Sequence, residues 1–240
     1  MKVSINNTLL SCEHGGNRIP AAWRHLFAGK DAILTSHRGW DPGALECARR
    51  LAARLKIPLV SSTTSRLLID LNRSLHHRQL FSEFSRPQPE SVRSTIIDSH
   101  YLPYRERLQQ AIAGLIKQRG FALHLSVHSF TPVFNHSPRN ADIGLLYDPG
   151  RRYELKLAML LQECLRGLDS ELNIRRNYPY RGIADGATTY YRKIFITKQY
   201  AGLEIEINQK YPLGRDNNVW CRLQNTILQA LILSLDRFNI

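Results

Sequence analysis

The sequence predicts an α/β domain of three layers, with a mostly parallel or mixed central sheet flanked by helices. Three observations predict it. Apolar segments of strand length alternate with segments of helical length along the chain. Residues 44–55 place Ala44, Leu45, Ala48, Leu51, Ala52 and Leu55 at helical spacing, with Glu46, Arg49, Arg50 and Arg54 on the other face. Residues 121–127 are a nearly unbroken apolar run, the pattern of a strand buried on both faces. At 240 residues, without an internal repeat or low-complexity tract, a single domain spanning 1–240 is the expected organisation.

The elements follow in order. Residues 7–12 read as a short strand that delivers Glu13 and His14 to a glycine-rich turn. After the 44–55 helix come strands at 57–61 and 67–71. Pro87 and Pro89 make 82–89 a loop, and Pro103 sits in the first turn of a helix over 102–117. Further strands are expected at 143–147, 194–197 and 203–207, with helices at 153–168 and 220–235. Sites in such sheets gather at the carboxyl ends of strands. His14, the Asn72–Arg73 pair and His128 each follow a strand-like segment.

Charge and composition narrow the partners. The formal net charge is +13, with a pI of about 9.9, which suggests an anionic partner, either nucleic acid or a small acidic substrate. The basic residues are scattered, as at 49–50, 151–152 and 175–176, and no basic stripe interleaved with aromatics appears. That pattern points away from nucleic acid. No apolar run is long enough to span a bilayer, and the N-terminus lacks the apolar stretch of a signal peptide, so no membrane partner is expected. The four cysteines, Cys12, Cys47, Cys164 and Cys221, form no Cys-x-x-Cys pair, which argues against a zinc knuckle or a disulfide framework and for a cytoplasmic home.

Several polar residues sit where a core would be expected. His14, followed by two glycines that permit close backbone approach, and His128, at the end of an apolar strand, are candidate metal ligands. The same patterns describe a turn histidine and a satisfied core histidine. His124 shares the strand face of His128 but lies mid-strand. Asp41 precedes Pro42 just before the 44–55 helix, the local signature of an N-cap, and a ligand role beside His37 is the alternative. Glu204 and Glu206 share one face of a strand, with Ile205 and Ile207 on the other. One of the pair suits a general base, and a half-exposed edge strand is the alternative. Asn72 and Arg73 make a fork for a carboxylate, with Arg66 upstream on the same segment; a structural ion pair of Arg73 reads equally well.

Seven segments together make the chain resemble the N-formylglutamate amidohydrolase family. They are SCEHGGN at 11–17, HRGWDPGA at 37–44, SRLLIDLNR at 65–73, VHSFTPV at 127–133, DIGLLY at 142–147, NYPY at 177–180 and LEIEIN at 203–208. The resemblance covers essentially the whole chain, in order and spacing, and the SFTP and WDP segments look like the less characterised branch. It implies a fold like that of the zinc carboxypeptidases and aspartoacylases (phosphorylase/hydrolase-like), and one Zn2+ per chain. It implies His14, Asp41 and His128 as metal ligands, with Glu13 and Glu46 as fallbacks for the third, and Glu206 as catalytic base. Asn72 and Arg73 become binders of the substrate carboxylate, with Arg66 as a second candidate. The implied reaction is hydrolysis of the amide of a small acidic N-acyl amino acid, N-formyl-L-glutamate to formate and glutamate. Two rivals stand beside it: a zinc amidase on peptidoglycan peptides, and a non-catalytic nucleic-acid-binding protein that uses the basic surface.

Overall fold

The computed structural model describes residues 4–239. Six strands make the main sheet: β1 (Thr8–Cys12), β2 (Leu59–Ser61), β3 (Ala122–Phe130), β6 (Ile143–Leu146), β7 (Ile174–Arg176) and β8 (Tyr200–Asn208). Their spatial order is β2-β1-β3-β8-β6-β7. All pairs are parallel except β6 with β8, so the sheet is mixed. A small antiparallel hairpin, β4 (Val133–Phe134) with β5 (Ser137–Pro138), stands apart between β3 and β6.

Helices cover both faces, and the predicted three-layer α/β architecture is the one observed. One face carries α2 (Ala44–Leu55), α5 (Arg152–Leu168) and α7 (Asn217–Arg237), and the other carries α4 (Leu102–Arg119) and α6 (Ala187–Ile194). Two short helices, α1 (Asp31–Thr35) and α3 (Glu90–Ile96), lie in the connections. The first face is wholly apolar: Leu10, Leu125, Val127, Leu203 and Ile205 pack against Leu51, Leu157 and Leu231. The second begins apolar, with Leu9 and Ala122 under Tyr104 and Tyr191, and turns polar toward the carboxyl ends of β1, β3 and β8. Parallel register puts Ser11 beside Ser126, Ser126 beside Glu204, and His128 beside Glu206. Polar groups thus gather on one end of one face while the opposite face supplies most of the burial.

Two expected strands are not strands. Residues 67–71 run through turns, with Asp70 N–H bonded to Leu80 O and Arg73 N–H to Asp70 O. Leu67, Leu68, Ile69 and Leu71 are all buried in the second core, so the apolar run reflects burial on every side rather than a ladder. Residues 194–197 follow α6 as a turn, and Ile196 is exposed. Ile-Phe-Ile-Thr at 194–197 reads as a strand by propensity, but Ile194 closes α6 and packing overrides the preference. Tyr191 is buried there, and the Arg192 guanidinium donates to the buried Glu154 carboxylate. The LEIEIN strand is no half-exposed edge: β8 is central and buried along its length.

Gly144 of β6 lies opposite Glu206 in the antiparallel register. A Cβ there would stand 1.9 Å from Tyr178 O and 3.2 Å from Glu206 Cβ. Gly144→Ala is expected to destabilise the fold by about 1–3 kcal/mol, because backbone rather than a flexible side chain must give way. Denaturant unfolding against the unsubstituted protein measures this.

Candidate metal and catalytic centre

His14 leaves the carboxyl end of β1, and His128 lies near that of β3. Asp41 comes from the turn before α2, where its backbone N–H donates to His14 O at 2.9 Å. Its carboxylate does not cap α2, whose N-cap is Gly43 in the left-handed region without a side-chain cap. Instead Asp41 Oδ2 meets His128 Nδ1 at 3.0 Å and His14 Nδ1 at 3.5 Å. Ligand atoms of His14, Asp41 and His128 lie within 4.8 Å of one another, and all three residues are buried.

The far sides of the two imidazoles explain why these nitrogens face one point. His14 Nε2 bonds Asp70 Oδ1 at 2.6 Å. His128 Nε2 lies 3.2 Å from Glu13 Oε2 and 2.9 Å from Ser126 Oγ. A carboxylate only accepts, so each Nε2 carries a proton; His14 Nδ1 is left to accept from Arg66, while His128 meets a carboxylate at both ring nitrogens, Glu13 at Nε2 and Asp41 at Nδ1. This is the arrangement by which outer carboxylates orient histidine ligands to a metal. Glu13 is held in turn by Tyr104 Oη at 2.9 Å and Ser126 Oγ at 2.7 Å.

Burial alone would raise the pKa of these acids. For Asp41 that effect is outweighed by the Arg66 guanidinium and both imidazoles, and its carboxyl stays well below the usual range. Glu13 is likewise buried, and hydrogen bonding and charge from His128 bring it down. Asp70 is brought down by His14, then by Arg66 and Arg73. Burial disfavours a charged His128, yet Asp41 and Glu13 on either side push its pKa up. Arg66 donates to both Asp41 Oδ1 and His14 Nδ1. Three ionised carboxylates therefore converge where positive charge is wanted. Two imidazole nitrogens and a carboxylate oxygen, aimed at one point with their outer shell already fixed, fit a divalent cation.

Glu206 behaves in the opposite way. Burial pushes its carboxyl up to about 8, aided by Asp41 and Glu204 and opposed by His128. Its Oε2 is buried without a hydrogen-bond partner among the described residues. Glu204, one turn of the pleat earlier, accepts from Thr188 Oγ1 at 2.5 Å. These residues line a cavity of about 160 Å³.

The other expected site residues reach the same cavity. Asn72 Nδ2 lies 3.4 Å from His128 Nε2, and its Oδ1 accepts from Ala187 N–H at 2.6 Å. Arg73 lines the wall and donates from Nη1 to Asp185 O at 2.7 Å. Tyr180 of the NYPY segment and Arg181 complete the rim. Three candidates fall elsewhere. Glu46 accepts from Trp220 Nε1 and Gln224 Nε2 on the outside of α2. His37 is exposed. His124 is a satisfied core residue, bonded to Ser11 Oγ at 2.7 Å and Tyr200 Oη at 2.8 Å, with burial lowering its pKa to about 4. Glu13, a fallback ligand in sequence, serves the outer side of His128. Asp70 was not singled out from sequence, although an acid inside the apolar run 67–71 was a visible signal.

Comparison with known proteins bears on the family and the fold. The family model described as N-formylglutamate amidohydrolase matches residues 6–211. The gene product Atu2144 from Agrobacterium tumefaciens is similar in structure, with a TM-score of 0.83 at 26% identity over 98% of this chain and 92% of that one. The N-formylglutamate amidohydrolase from Ralstonia eutropha shares the fold, with a TM-score of 0.69 at 20% identity over 99% and 95% of the two chains. A search of curated proteins found no match. Among the described residues, no helix is long and apolar enough to cross a membrane. The family match spans most of the chain, and the chain belongs to the N-formylglutamate amidohydrolase family of amide hydrolases.

Proposed function

We propose that the protein is a zinc-dependent amidohydrolase that cleaves a small acidic N-acyl amino acid, with N-formyl-L-glutamate as the best-fitting substrate. One observation carries this reading. His14 Nδ1, His128 Nδ1 and the Asp41 carboxylate converge within 4.8 Å beside the unpartnered Glu206 carboxyl. A zinc ion held by these three would act as a Lewis acid toward the amide carbonyl and make water a nucleophile near neutral pH.

The chain's own groups do the rest. Glu206 takes the proton from the attacking water and returns it to the leaving nitrogen, so that formate and glutamate are the products. A carboxyl with a pKa near neutrality suits both halves of that transfer. Arg73 and Asn72 bind a carboxylate of the substrate through charge-assisted hydrogen bonds. Arg66, pinned to Asp41 and His14, is the second candidate for anion binding. A cavity of about 160 Å³ favours a small substrate over a peptidoglycan strand. The cysteines are all free, and three are buried, which fits a reducing cytoplasm.

Three outcomes are expected. Protein purified without added metal should carry about one zinc per chain by elemental analysis, and His128→Ala should lose it; no metal in either, even after incubation with zinc, would favour the binding-protein reading. Glu206→Gln should keep the metal while kcat on N-formyl-L-glutamate falls by at least about 100-fold. Unchanged turnover would remove Glu206 from the proton path, and turnover of muropeptides alone would favour the peptidoglycan reading. Arg73→Gln should raise KM about tenfold or more with kcat little changed, since it removes binding shared by ground and transition states; an unchanged KM takes Arg73 out of the carboxylate site.

A further inference from the structure

A second cavity, of about 530 Å³, opens between the first turns of α4 and the 61–64 segment that leaves β2. Its lining is mostly polar. Ser61, Ser62, Thr63 and Thr64 present a row of hydroxyls, Arg18 and Arg107 supply positive charge, and Glu106 is the one acid in the wall. Much of this donor capacity is unspent. Among the described residues, no hydrogen bond or ion pair within the chain engages the guanidinium of Arg18 or Arg107, or the hydroxyls of Ser61 and Thr63. Two exposed arginines alone would merely be solvated. Beside a concave row of hydroxyl donors, they make a set that an oxyanion can satisfy.

Residues that line this cavity touch the residues that hold the two imidazoles. Tyr104 lines it, is fully buried, and donates its hydroxyl to Glu13, the carboxylate that faces His128 Nε2. The 61–64 segment also holds the loop that carries His14. Gly15 N–H donates to Ser62 O at 3.1 Å, and Arg18 N–H to Thr63 O at 2.9 Å. The loops fit so closely that a Cβ at Gly15 would stand 2.8 Å from Ser62 O, and one at Gly16 2.9 Å from Thr63 O. Two separate contacts therefore join this cavity to the two imidazoles.

We propose that this cavity is a second binding site, for a small oxyanion such as a phosphate or a dicarboxylate, and that its occupancy is transmitted to His14 and His128 through the 61–64 segment and Tyr104. The ligand draws on Arg18, Arg107 and the hydroxyl row. Ordering of 61–64 then tightens the backbone contacts of residues 15–18, and packing against Tyr104 fixes the hydroxyl that holds Glu13.

The test is calorimetric titration of inorganic phosphate and, separately, succinate at constant ionic strength, with hydrogen exchange read on the same samples. The full chain is compared with the Arg18→Gln/Arg107→Gln double variant, whose thermal midpoint confirms that it is folded. Saturable binding of either anion, weakened at least about tenfold in the double variant, supports the site, and the tighter of the two names the class. Slowed exchange at 61–64 and 104–107, extending to the amides of 13–16, supports the coupling. Equal affinity in the double variant, no saturable binding of either anion, or protection confined to 66–73 and 181–186 around the catalytic cavity overturns the site. Protection that reaches 61–64 but leaves 13–16 unchanged overturns the coupling.

Discussion

The carboxylates of Glu13, Asp41 and Asp70 are held out of water around two imidazoles, and much of the structure exists to make that tolerable. An isolated buried carboxylate is costly, and burial by itself would drive each toward the neutral form. All three are instead kept ionised by partners drawn from distant parts of the chain: His128 and then Ser126 on Glu13, Arg66 on Asp41, and His14 on Asp70. The apolar face of the sheet, packed under α2, α5 and α7, supplies the burial against which this polar end can be set. Glu206 lacks such partners, and its contrasting protonation follows from the same environment. Acids whose surroundings push their pKa values apart can hold separate roles within one small cavity.

How much of this was legible in the sequence depended on the range of the contacts involved. The α2 helix was readable to the residue, because its amphipathic spacing is a local property. The strands β3 and β8 were legible as apolar runs, and their ends located His128 and Glu206. The 67–71 and 194–197 segments were misread because burial on all sides in the first and aromatic, β-branched content in the second mimic a strand, while tertiary packing decides otherwise. Asp41 shows the limit most clearly. Its local pattern is that of a helix cap, and contacts with His14, Arg66 and, 87 positions away, His128 draw the carboxylate to the candidate metal centre. Asp70 and Glu13 acquire their roles the same way, across separations of 56 and 113 positions. No local pattern encodes such pairings, and it was the resemblance of seven segments together that pointed to the centre.

The strong positive charge is also clearer in three dimensions. Some of the arginines act inside the protein. Arg192 and Arg151 serve the buried Glu154 carboxylate, Arg105 lies among the rings of Tyr101, Tyr190 and Tyr191, and Arg66 faces the metal centre. The buried carboxylates of Glu13, Asp41, Asp70 and Glu154 match these four guanidiniums in number, so the net charge of +13 is carried by the rest of the chain, and Arg73 and Arg181 line the candidate cavity.

The reversed strand β6 has an architectural effect of its own. Because it runs antiparallel to β8, the chain passes from β3 to β6 without crossing the sheet, and the β4–β5 hairpin emerges at the end where the imidazoles lie. Arg139, just past that hairpin, stacks on Phe134 with its guanidinium 4.5 Å from the ring centre and donates to Tyr180 Oη at the cavity rim. Tyr180, a residue of the cavity wall, is thus braced by an excursion anchored at both ends by sheet strands, of which only β3 carries a candidate ligand, His128. Lengthening such an excursion costs little entropy. The brace on Tyr180 can consequently change in length or sequence while the carboxylate-buttressed imidazoles stay as they are.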